Sequence, residues 1–375
     1  MNLLIVGASA RSAAHSARRF GLIPAGIDLF GDTDLLAAGA SRVVAGSSYP
    51  EALFATAREI AGGPFLYTGA LENHPDLVDR IAATRPLWGN PGATLQAVRD
   101  PFALATALTG RGLPAPEVRA TAEGLPADGS WLAKPLRSAG GRRVQPHRGV
   151  EPSWPACYQR RLIGPSLAAT FVGRDGRSGL LGVTEQILGG EHGFEYLGSV
   201  GPRPVEPDLA GQISAIGDAL ASAFGLVGLF GVDLILAAGR PVPVEVNPRY
   251  TASVEILELA TGRSLLAEHV RACDPGFRPR GATPGRSLTG VVGKLTLRAD
   301  GPIVVPEALS RRGRYVGWAV PRLADVPRAG TRIEAGQPVM TLMGRGPDAG
   351  SCLRSLRRRE ARWRARLRRI GVGIC

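Results

Sequence analysis

Two acidic residues stand inside two otherwise apolar segments, and this pattern constrains the fold more than any other part of the chain. The segments are 229–236 and 241–246, which we predict to be strands joined by a turn at Ala238–Gly239. Asp233 lies in the first strand and Glu245 in the second. Because a buried carboxylate needs a partner, the pattern indicates a hairpin with a cation beside it.

Asn247 and Arg249 continue the second strand in an E-x-N-x-R pattern. Glu245 and Asn247 are two residues apart, so their side chains point to the same face of the sheet. Together with Asp233 they offer three oxygen ligands, which suits Mg²⁺ or Mn²⁺ beside phosphate oxygens. Arg249 adds a guanidinium suited to phosphate or carboxylate. The alternative is a hairpin whose polar residues only cap its end.

A second motif is Trp131-Leu-Ala-Lys134-Pro-Leu-Arg-Ser138-Ala-Gly140-Gly141, a predicted strand that runs into a loop of small residues. Such loops let backbone N–H groups approach phosphates, and a lysine neutralises their charge. Of 45 basic residues, only Lys134 and Lys294 are lysine. A lysine at this position therefore suggests a need for a compact charge, although an ordinary hairpin turn is an equal alternative.

Apolar and helical segments alternate over the first 92 residues. Strands are predicted at Leu3–Gly7, Pro24–Asp28, Arg42–Ala45 and Phe65–Thr68, with helical segments between them. This order predicts an α/β fold with a doubly wound parallel sheet.

The turn after the first predicted strand reads Gly7-Ala-Ser9-Ala-Arg11-Ser12. It lacks the G-x-G-x-x-G pattern of dinucleotide-binding folds, which argues against an oxidoreductase. Ser9 and Arg11 could bind an anionic substrate at a helix start, and a simple strand-to-helix turn explains them equally well. Ser253, after the metal-binding pattern, could contact substrate or cap a helix.

The basic charge is concentrated in the C-terminal tail. Nine arginines and one acid, Glu360, lie within residues 354–369, which contribute +8 of the formal +13. The remaining charge does not favour a nucleic-acid-binding body. We predict a solvated helix for this tail; a subunit contact and a nucleic-acid-sensitive patch are the alternatives.

No segment favours a membrane or disulfide-rich protein. Ala219–Gly239 is long enough to resemble a membrane span, but Asp233 and three glycines favour a helix end, a turn and a buried strand. The four cysteines, at 157, 273, 352 and 375, have neither CxxC nor metal-ligand spacing. We therefore expect reduced thiols, a cytoplasmic location and no membrane contact.

In their order, these motifs and Tyr158-Gln-Arg-Arg-Leu162 resemble the ATP-grasp superfamily of ATP-dependent carboxylate–amine ligases. The resemblance implies an α/β domain at 1–92, an ATP-grasp domain of two α+β subdomains at 93–275, a small β unit at 285–345 and the Arg-rich tail at 346–375.

The resemblance also implies roles for individual residues. Lys134 would contact the ATP phosphates, the loop Ser138–Gly141 would close over ATP, and Gln159–Leu162, including Arg161, would hold adenine. Asp233, Glu245 and Asn247 would bind Mg²⁺ or Mn²⁺, and Arg249 would lie beside the transferred phosphoryl group. The sequence departs from the family pattern at Asp100-Pro-Phe102, which lacks a second lysine, and at Gln159 and Ser166, where acids are usual.

The expected reaction joins a small-molecule carboxylate to an amine through an acyl phosphate, in a chain that could form a homodimer. A regulatory ATP-binding protein and a bicarbonate-using carboxylase are the alternatives. Val291–Leu297 and the segments after it resemble the C-terminal extension of tyramine–glutamate ligases, which suggests a role in methanofuran- or tetrahydromethanopterin-type coenzyme biosynthesis.

Overall fold

The computed structural model describes residues 1–44, 46–279, 281–312 and 316–371. Ala45 at the end of one predicted strand, residues 313–315 of the predicted β unit, and 372–375 of the predicted tail with Cys375 lie outside the described residues.

The N-terminal part is a four-stranded parallel sheet in the order β3-β2-β1-β4. Its central strand is buried at four consecutive residues, 3–6, as expected for a parallel sheet covered on both faces. Helices do pack on both faces, over two separate apolar clusters, so the predicted doubly wound domain is confirmed. The elements are β1 Asn2–Val6, α1 Arg11–Arg19, β2 Ile23–Asp28, α2 Thr33–Ala38, β3 Ala40–Val43, α3 Ala52–Glu59, β4 Phe65–Tyr67 and α4 Pro75–Ala82.

Two helices lead into a smaller antiparallel sheet in the order β5-β8-β6-β7. The second helix begins at a proline, and the Asp100 carboxylate caps it by accepting the backbone N–H of Phe102 at 2.8 Å. The elements are α5 Gly92–Arg99, α6 Pro101–Thr109, β5 Val118–Arg119, β6 Trp131–Pro135, β7 Gln145–Pro146 and β8 Ala156–Arg160.

The next segment builds most of a large antiparallel sheet, with strands in the order β13-β12-β9-β10-β11. The stretch 219–239 is a helix end, a left-handed turn at Gly225 and a buried strand, as predicted. None of the described helices is both long and apolar enough to cross a bilayer. The elements are β9 Ser166–Arg174, β10 Arg177–Gly189, β11 Glu195–Gly201, α7 Pro207–Phe224, β12 Gly228–Ala237, β13 Arg240–Asn247, α8 Ala252–Thr261 and α9 Leu265–Cys273.

The predicted C-terminal β unit contains strands, but most of them belong to the large sheet, and only β15 and β17 pair separately with each other. Strands β14, β18 and β16 follow β11 and extend the large sheet to eight strands. This pairing satisfies the backbone groups that β11 would otherwise expose at an edge. The elements are β14 Val291–Arg298, β15 Ile303–Val304, α10 Glu307–Ser310, β16 Leu323–Ala324, β17 Arg332–Ile333, β18 Pro338–Gly346 and α11 Ala349–Gly371.

The Arg-rich tail is helical as predicted, but it is not solvated on all sides. Helix α11 packs on β14 and β18. Cys352 and Leu356 are fully buried and Leu367 is 5 % exposed. The prediction of a solvated tail is corrected because these apolar residues recur at helical spacing among the arginines.

Candidate active site

The β12–β13 hairpin brings the predicted metal ligands together. Asp233 pairs directly with Glu245, and Asn247 pairs with Gly231 two residues away. The Asn247 amide Nδ2 donates to Asp233 Oδ2 at 3.2 Å. Within the described residues no group of three His, Cys, Asp or Glu side chains gathers at metal-binding distance. The candidate ligands are therefore two carboxylates and one amide, which is typical of Mg²⁺ because this ion also keeps waters and phosphate oxygens.

Electrostatics at the hairpin favour a cation. Burial, and then the neighbouring Glu245 carboxylate, raise the pKa of Asp233 to about 7. The Gln186 amide Nε2 donates to Asp233 Oδ1 at 2.9 Å, which supplies a hydrogen bond but no positive charge. The Glu245 side chain is 34 % exposed and faces the cavity described below. Two carboxylates that repel each other beside a cavity fit a bound divalent ion.

Lys134 connects the two sheets. It stands on β6, and its Nζ donates to Gln159 Oε1 on β8 at 3.0 Å and to the Val244 carbonyl on β13 at 2.9 Å. Since Val244 precedes Glu245, the ammonium group lies beside the candidate metal ligands. This is the position from which a lysine could neutralise a phosphate chain.

The glycine loop lies against the beginning of β11. The Tyr196 N–H donates to the Gly140 carbonyl at 2.9 Å. Gly141 has a φ of +71°, and a Cβ there would lie 2.0 Å from the Phe194 carbonyl oxygen. Only glycine allows both this backbone conformation and this close approach.

The other end of the loop is tied to the N-terminal part of the molecule. The Ser138 carbonyl accepts hydrogen bonds from Arg99 Nη2 at 3.1 Å and from Asn73 Nδ2 at 3.3 Å. The predicted nucleotide loop is thus fixed at both ends, by α5 and the turn after β4 on one side and by β11 on the other.

The segment predicted to hold adenine, 159–162, lies at the edge of the cavity described in the next paragraph. Gln159 is 4 % exposed and accepts the Lys134 hydrogen bond. The Arg161 guanidinium lies over the Phe194 ring, 5.6 Å from its centroid, and the Arg161 N–H donates to the Ser130 carbonyl at 2.8 Å. Leu162 lines the cavity.

A cavity of about 230 Å³ separates the small sheet from the large one. Residues of both sheets and of the glycine loop line it, and most of the predicted nucleotide and metal residues are among them. The predicted residues that line it are Lys134, Gly140, Gly141, Gln159, Leu162, Asp233, Glu245, Asn247, Arg249 and Ser253.

Arg249 joins the hairpin to the N-terminal domain. Its Nη2 donates to Asn247 Oδ1 at 3.0 Å and to Glu72 Oε1 at 2.6 Å. Burial alone would raise the pKa of Glu72, but the charge and hydrogen bond of Arg249 and the charge of Arg99 together outweigh burial and lower the pKa. The Arg99 Nη1 lies 3.8 Å from Glu72 Oε1 and 3.6 Å from Glu245 Oε1, which completes a chain of alternating charges.

Sequence reasoning missed Glu72, Arg99 and Gln186. Glu72 lies in a short 3-10 turn after β4, and no pattern marks a single acid there. Arg99 immediately precedes Asp100-Pro-Phe102, the region in which the family resemblance implies a second lysine. A search for any cation in that region would have found Arg99. Gln186 gave no signal because its partner lies on another strand.

Arg11 is not available to an anionic substrate. It is 1 % exposed, and its Nε and Nη2 donate to the two Asp325 carboxylate oxygens at 2.9 and 3.1 Å. Its Nη2 also donates to Glu255 Oε2 at 3.1 Å, and Lys294 Nζ approaches the same oxygen at 3.3 Å. The structure therefore corrects the expectation of substrate binding, because carboxylates of the protein already occupy these donors.

The other two candidate substrate residues differ from each other. Ser9 is half-buried in the β1–α1 turn, where its carbonyl accepts the Thr68 hydroxyl at 2.8 Å. Ser253 lines the cavity, and its hydroxyl shares a hydrogen bond of 2.9 Å with Thr184 Oγ1. It is not the N-cap of α8, which is Thr251.

Comparison with known proteins identifies the fold. A family model described as an ATP-grasp domain matches residues 98–253. Biotin carboxylase from Campylobacter jejuni superposes with a TM-score of 0.70 at 14 % identity, covering 94 % of this chain and 89 % of that one. L-amino acid ligase from Bacillus licheniformis gives 0.67 at 17 %, covering 95 % and 96 %.

N5-carboxyaminoimidazole ribonucleotide synthetase from Thermus thermophilus gives a TM-score of 0.66 at 19 % identity, covering 97 % of this chain and 98 % of the other. At these identities the superpositions establish a shared fold and not a shared substrate. The fold extends over nearly the whole chain, with the matched domain around the cavity. Residues 98–253 therefore match an ATP-grasp domain, and the chain shares its fold with these solved structures over nearly its whole length.

Proposed function

We propose that this protein is an ATP-dependent ligase that joins a small-molecule carboxylate to an amine through an acyl phosphate. The main support is the convergence of Lys134, Arg249 and the Asp233–Glu245 pair on one cavity between two sheets. Phosphoryl transfer needs positioning and charge neutralisation more than covalent participation by the protein, and these groups provide both.

The residues present fit Mg–ATP. Lys134 and the loop 138–141 would take the phosphates, 159–162 would hold adenine, and Asp233, Glu245 and Asn247 would hold Mg²⁺ or Mn²⁺. When bound, the divalent ion would neutralise phosphate charge and orient the phosphate oxygens.

The protein's own groups would act on the reacting end of the substrates. Arg249 would donate hydrogen bonds to the transferred phosphoryl group or the acyl phosphate, held in place by Glu72 and Asn247. The cavity between the sheets would limit access of water to that intermediate. An amine that arrives unprotonated needs no dedicated base, and the proposal assigns none.

The proposal is tested by incubating the protein with ATP, Mg²⁺ and pooled acids and amines. We expect ADP and phosphate release that requires both pools, together with a new amide mass. Glu245→Gln should abolish both products. Glu334→Gln, an exposed acid at a distant turn, is the matched control and should keep full activity. ATP binding without turnover in every pool would instead support a regulatory ATP-binding protein.

A second candidate is carboxylation of an acceptor with bicarbonate as the acid. It is favoured by the similarity of the fold to a biotin carboxylase and to a carboxyaminoimidazole ribonucleotide synthetase. ADP release that requires bicarbonate, with incorporation of labelled carbon, would select it over the amide-forming reaction.

The narrower assignments belong to the same proposal. Tyramine and glutamate are the first pair to test, because the C-terminal segments resemble ligases of C1-carrier coenzyme biosynthesis. We further propose a cytoplasmic homodimer. Light scattering of the purified protein tests the dimer independently of any substrate.

A further inference from the structure

We propose that the solvent side of α11 is a binding surface for the phosphodiester backbone of nucleic acid, separate from the ATP cavity. The surface consists of five exposed arginines, which we call the arginine stripe. They are Arg354, Arg358, Arg362, Arg366 and Arg369.

The stripe is the unpaired side of the helix. Among the described residues, Arg358, Arg362 and Arg369 have neither a hydrogen bond nor an ion pair. Arg354 only donates to the Ser351 hydroxyl, at 2.9 Å, and the Arg366 guanidinium lies 5.2 Å from the Trp363 ring centroid. Hydrogen bonds from Ser351, and then the nearby Arg354 charge, lower the pKa of the Asp348 carboxyl, but no acid within the described residues forms an ion pair with any of the five guanidinium groups.

On the neighbouring side of the same helix, the arginines form ion pairs with acids. Arg357 pairs with Glu360 at 2.8 Å, Arg364 pairs with Glu360 at 3.0 Å, and Arg368 pairs with Asp300 at 3.1 Å. Acids are thus available to α11, but they lie beside the other arginines.

The spacing within the stripe is unfavourable for an isolated helix. Residues 354, 358, 362 and 366 form three successive i,i+4 pairs of like charge, each of which destabilises a helix. The apolar face of α11 is already buried against β14 and β18. The like-charge repulsion on the exposed face is therefore not needed to pack the helix. An external anion would remove the repulsion.

The geometry suits a chain of phosphates. Four residues of helix rise about 6 Å, so the stripe presents guanidiniums at regular intervals over about 22 Å. A guanidinium binds phosphate oxygens with two parallel hydrogen bonds, and regularly spaced phosphates are the property that distinguishes nucleic acid from an acidic protein. We therefore favour nucleic acid as the ligand.

The stripe is remote from the ATP cavity. Helix α11 packs on β14 and β18, while the candidate metal ligands lie on β12 and β13, with three strands between β12 and β14. At about 4.8 Å per strand, the two sites are separated by about 19 Å across the sheet. Binding at the stripe should leave the ATP site open.

The test measures fluorescence anisotropy of labelled 20-nucleotide single-stranded RNA, single-stranded DNA and duplex DNA against the full chain at 50–200 mM salt. The variant is R358Q/R362Q/R366Q. The matched control, R111Q/R174Q/R240Q, removes the same charge from exposed arginines elsewhere. Thermal unfolding of each protein tests whether both variants fold.

We expect micromolar binding. For single strands, the logarithm of the association constant should fall with the logarithm of the salt concentration with a slope of about −3.5, at about −0.7 per phosphate. The stripe variant should reduce the slope by about 2 and weaken binding at 50 mM salt at least tenfold, while the control stays within twofold. The proposal is overturned if no nucleic acid binds, if both variants weaken binding equally, or if labelled poly-glutamate binds as tightly with the same dependence on the stripe.

Discussion

The hairpin at the ATP cavity and the ion cluster around Arg11 are built from the same residue types, yet they have opposite properties. In the cluster, Arg11 is 1 % exposed and donates to two carboxylates, and Lys294 adds a second cation to Glu255. At the hairpin, Glu245 is 34 % exposed, and its nearest cation is Arg99 at 3.6 Å. One region satisfies its charges internally, and the other leaves them facing a cavity.

The pKa values of Glu255 and Asp233 are shifted in opposite directions. Burial alone would raise the pKa of Glu255, but Arg11 and Lys294 hold it well below its ordinary range. Burial and Glu245 raise the pKa of Asp233 to about 7. A buried carboxylate with its own cations is structural, whereas one repelled by a neighbouring carboxylate is ready for an external cation.

The largest expected effect is on the stability that the ion cluster around Arg11 provides. Arg11→Met should lower the free energy of unfolding by about 3–5 kcal/mol, because it leaves Asp325 and Glu255 buried without their main cation. Urea denaturation measures this loss. Arg174→Met, at an exposed arginine, should change stability by less than about 0.5 kcal/mol. A loss below about 1 kcal/mol for Arg11→Met would show that the ion cluster contributes little to the stability of the fold.

The hairpin should respond in the opposite way. Asp233→Asn should reduce ATP turnover by about 10²–10³-fold, because it removes a ligand charge that compensates transferred phosphate charge. Its free energy of unfolding should stay unchanged or rise, since the repulsion from Glu245 disappears. Turnover assays and urea denaturation of the same preparation separate the two effects. A strongly destabilised variant would place Asp233 with the structural acids.

Glu72 provides an intermediate case, because it is buried like the cluster but holds a residue of the cavity. We expect Glu72→Gln to lower kcat about 10- to 30-fold, or about 1.4–2 kcal/mol, by loosening Arg249. The KM for ATP should change less than about threefold. Glu51→Gln, an exposed acid of the same domain, is the control. Equal changes in kcat and in stability for Glu72→Gln would indicate a purely structural role.

The smallest expected effect concerns His269, a buried side chain that has no charged partner in the part of the chain that the structure describes. Its Nδ1 accepts the Leu229 N–H at 2.8 Å, and burial lowers its pKa to about 4. The unfolded chain, with a histidine pKa near 6.5, takes up the proton first, so stability is present above that pH and is lost as pH falls toward 4.

For this histidine, the loss between pH 7.5 and 5.5 should be about 1.4 kcal/mol. Urea denaturation at both pH values measures it, and His269→Gln should show a smaller difference between them. An unchanged difference would mean that other groups control stability in this range.

Local patterns predicted much of the fold and one half of the site. Alternation along one strand predicts that Glu245 and Asn247 share a face, with Asp233 on the neighbouring strand of the hairpin, and the structure pairs Asp233 directly with Glu245. Lys134 and the glycine loop reach the same cavity. These predictions succeeded in placing residues because they depend on neighbours within one strand, one turn or one hairpin.

Predictions that depended on distant contacts fared worse. Arg11 was expected to bind an anion at a helix start, yet Asp325, 314 residues away, occupies its donors. The C-terminal strands were expected to form a separate unit, yet β14 pairs with β11. Glu72, 177 residues before Arg249, had no local signal at all.

By itself the sequence determined the alternation of strands and helices, the face on which the hairpin acids lie and the crowding of arginine into one helix. Only the tertiary structure decided which charged groups are buried in ion pairs with one another and which face a cavity or solvent. The physical reason is that backbone periodicity orients a side chain locally, whereas its burial and its ion partner come from segments hundreds of residues away.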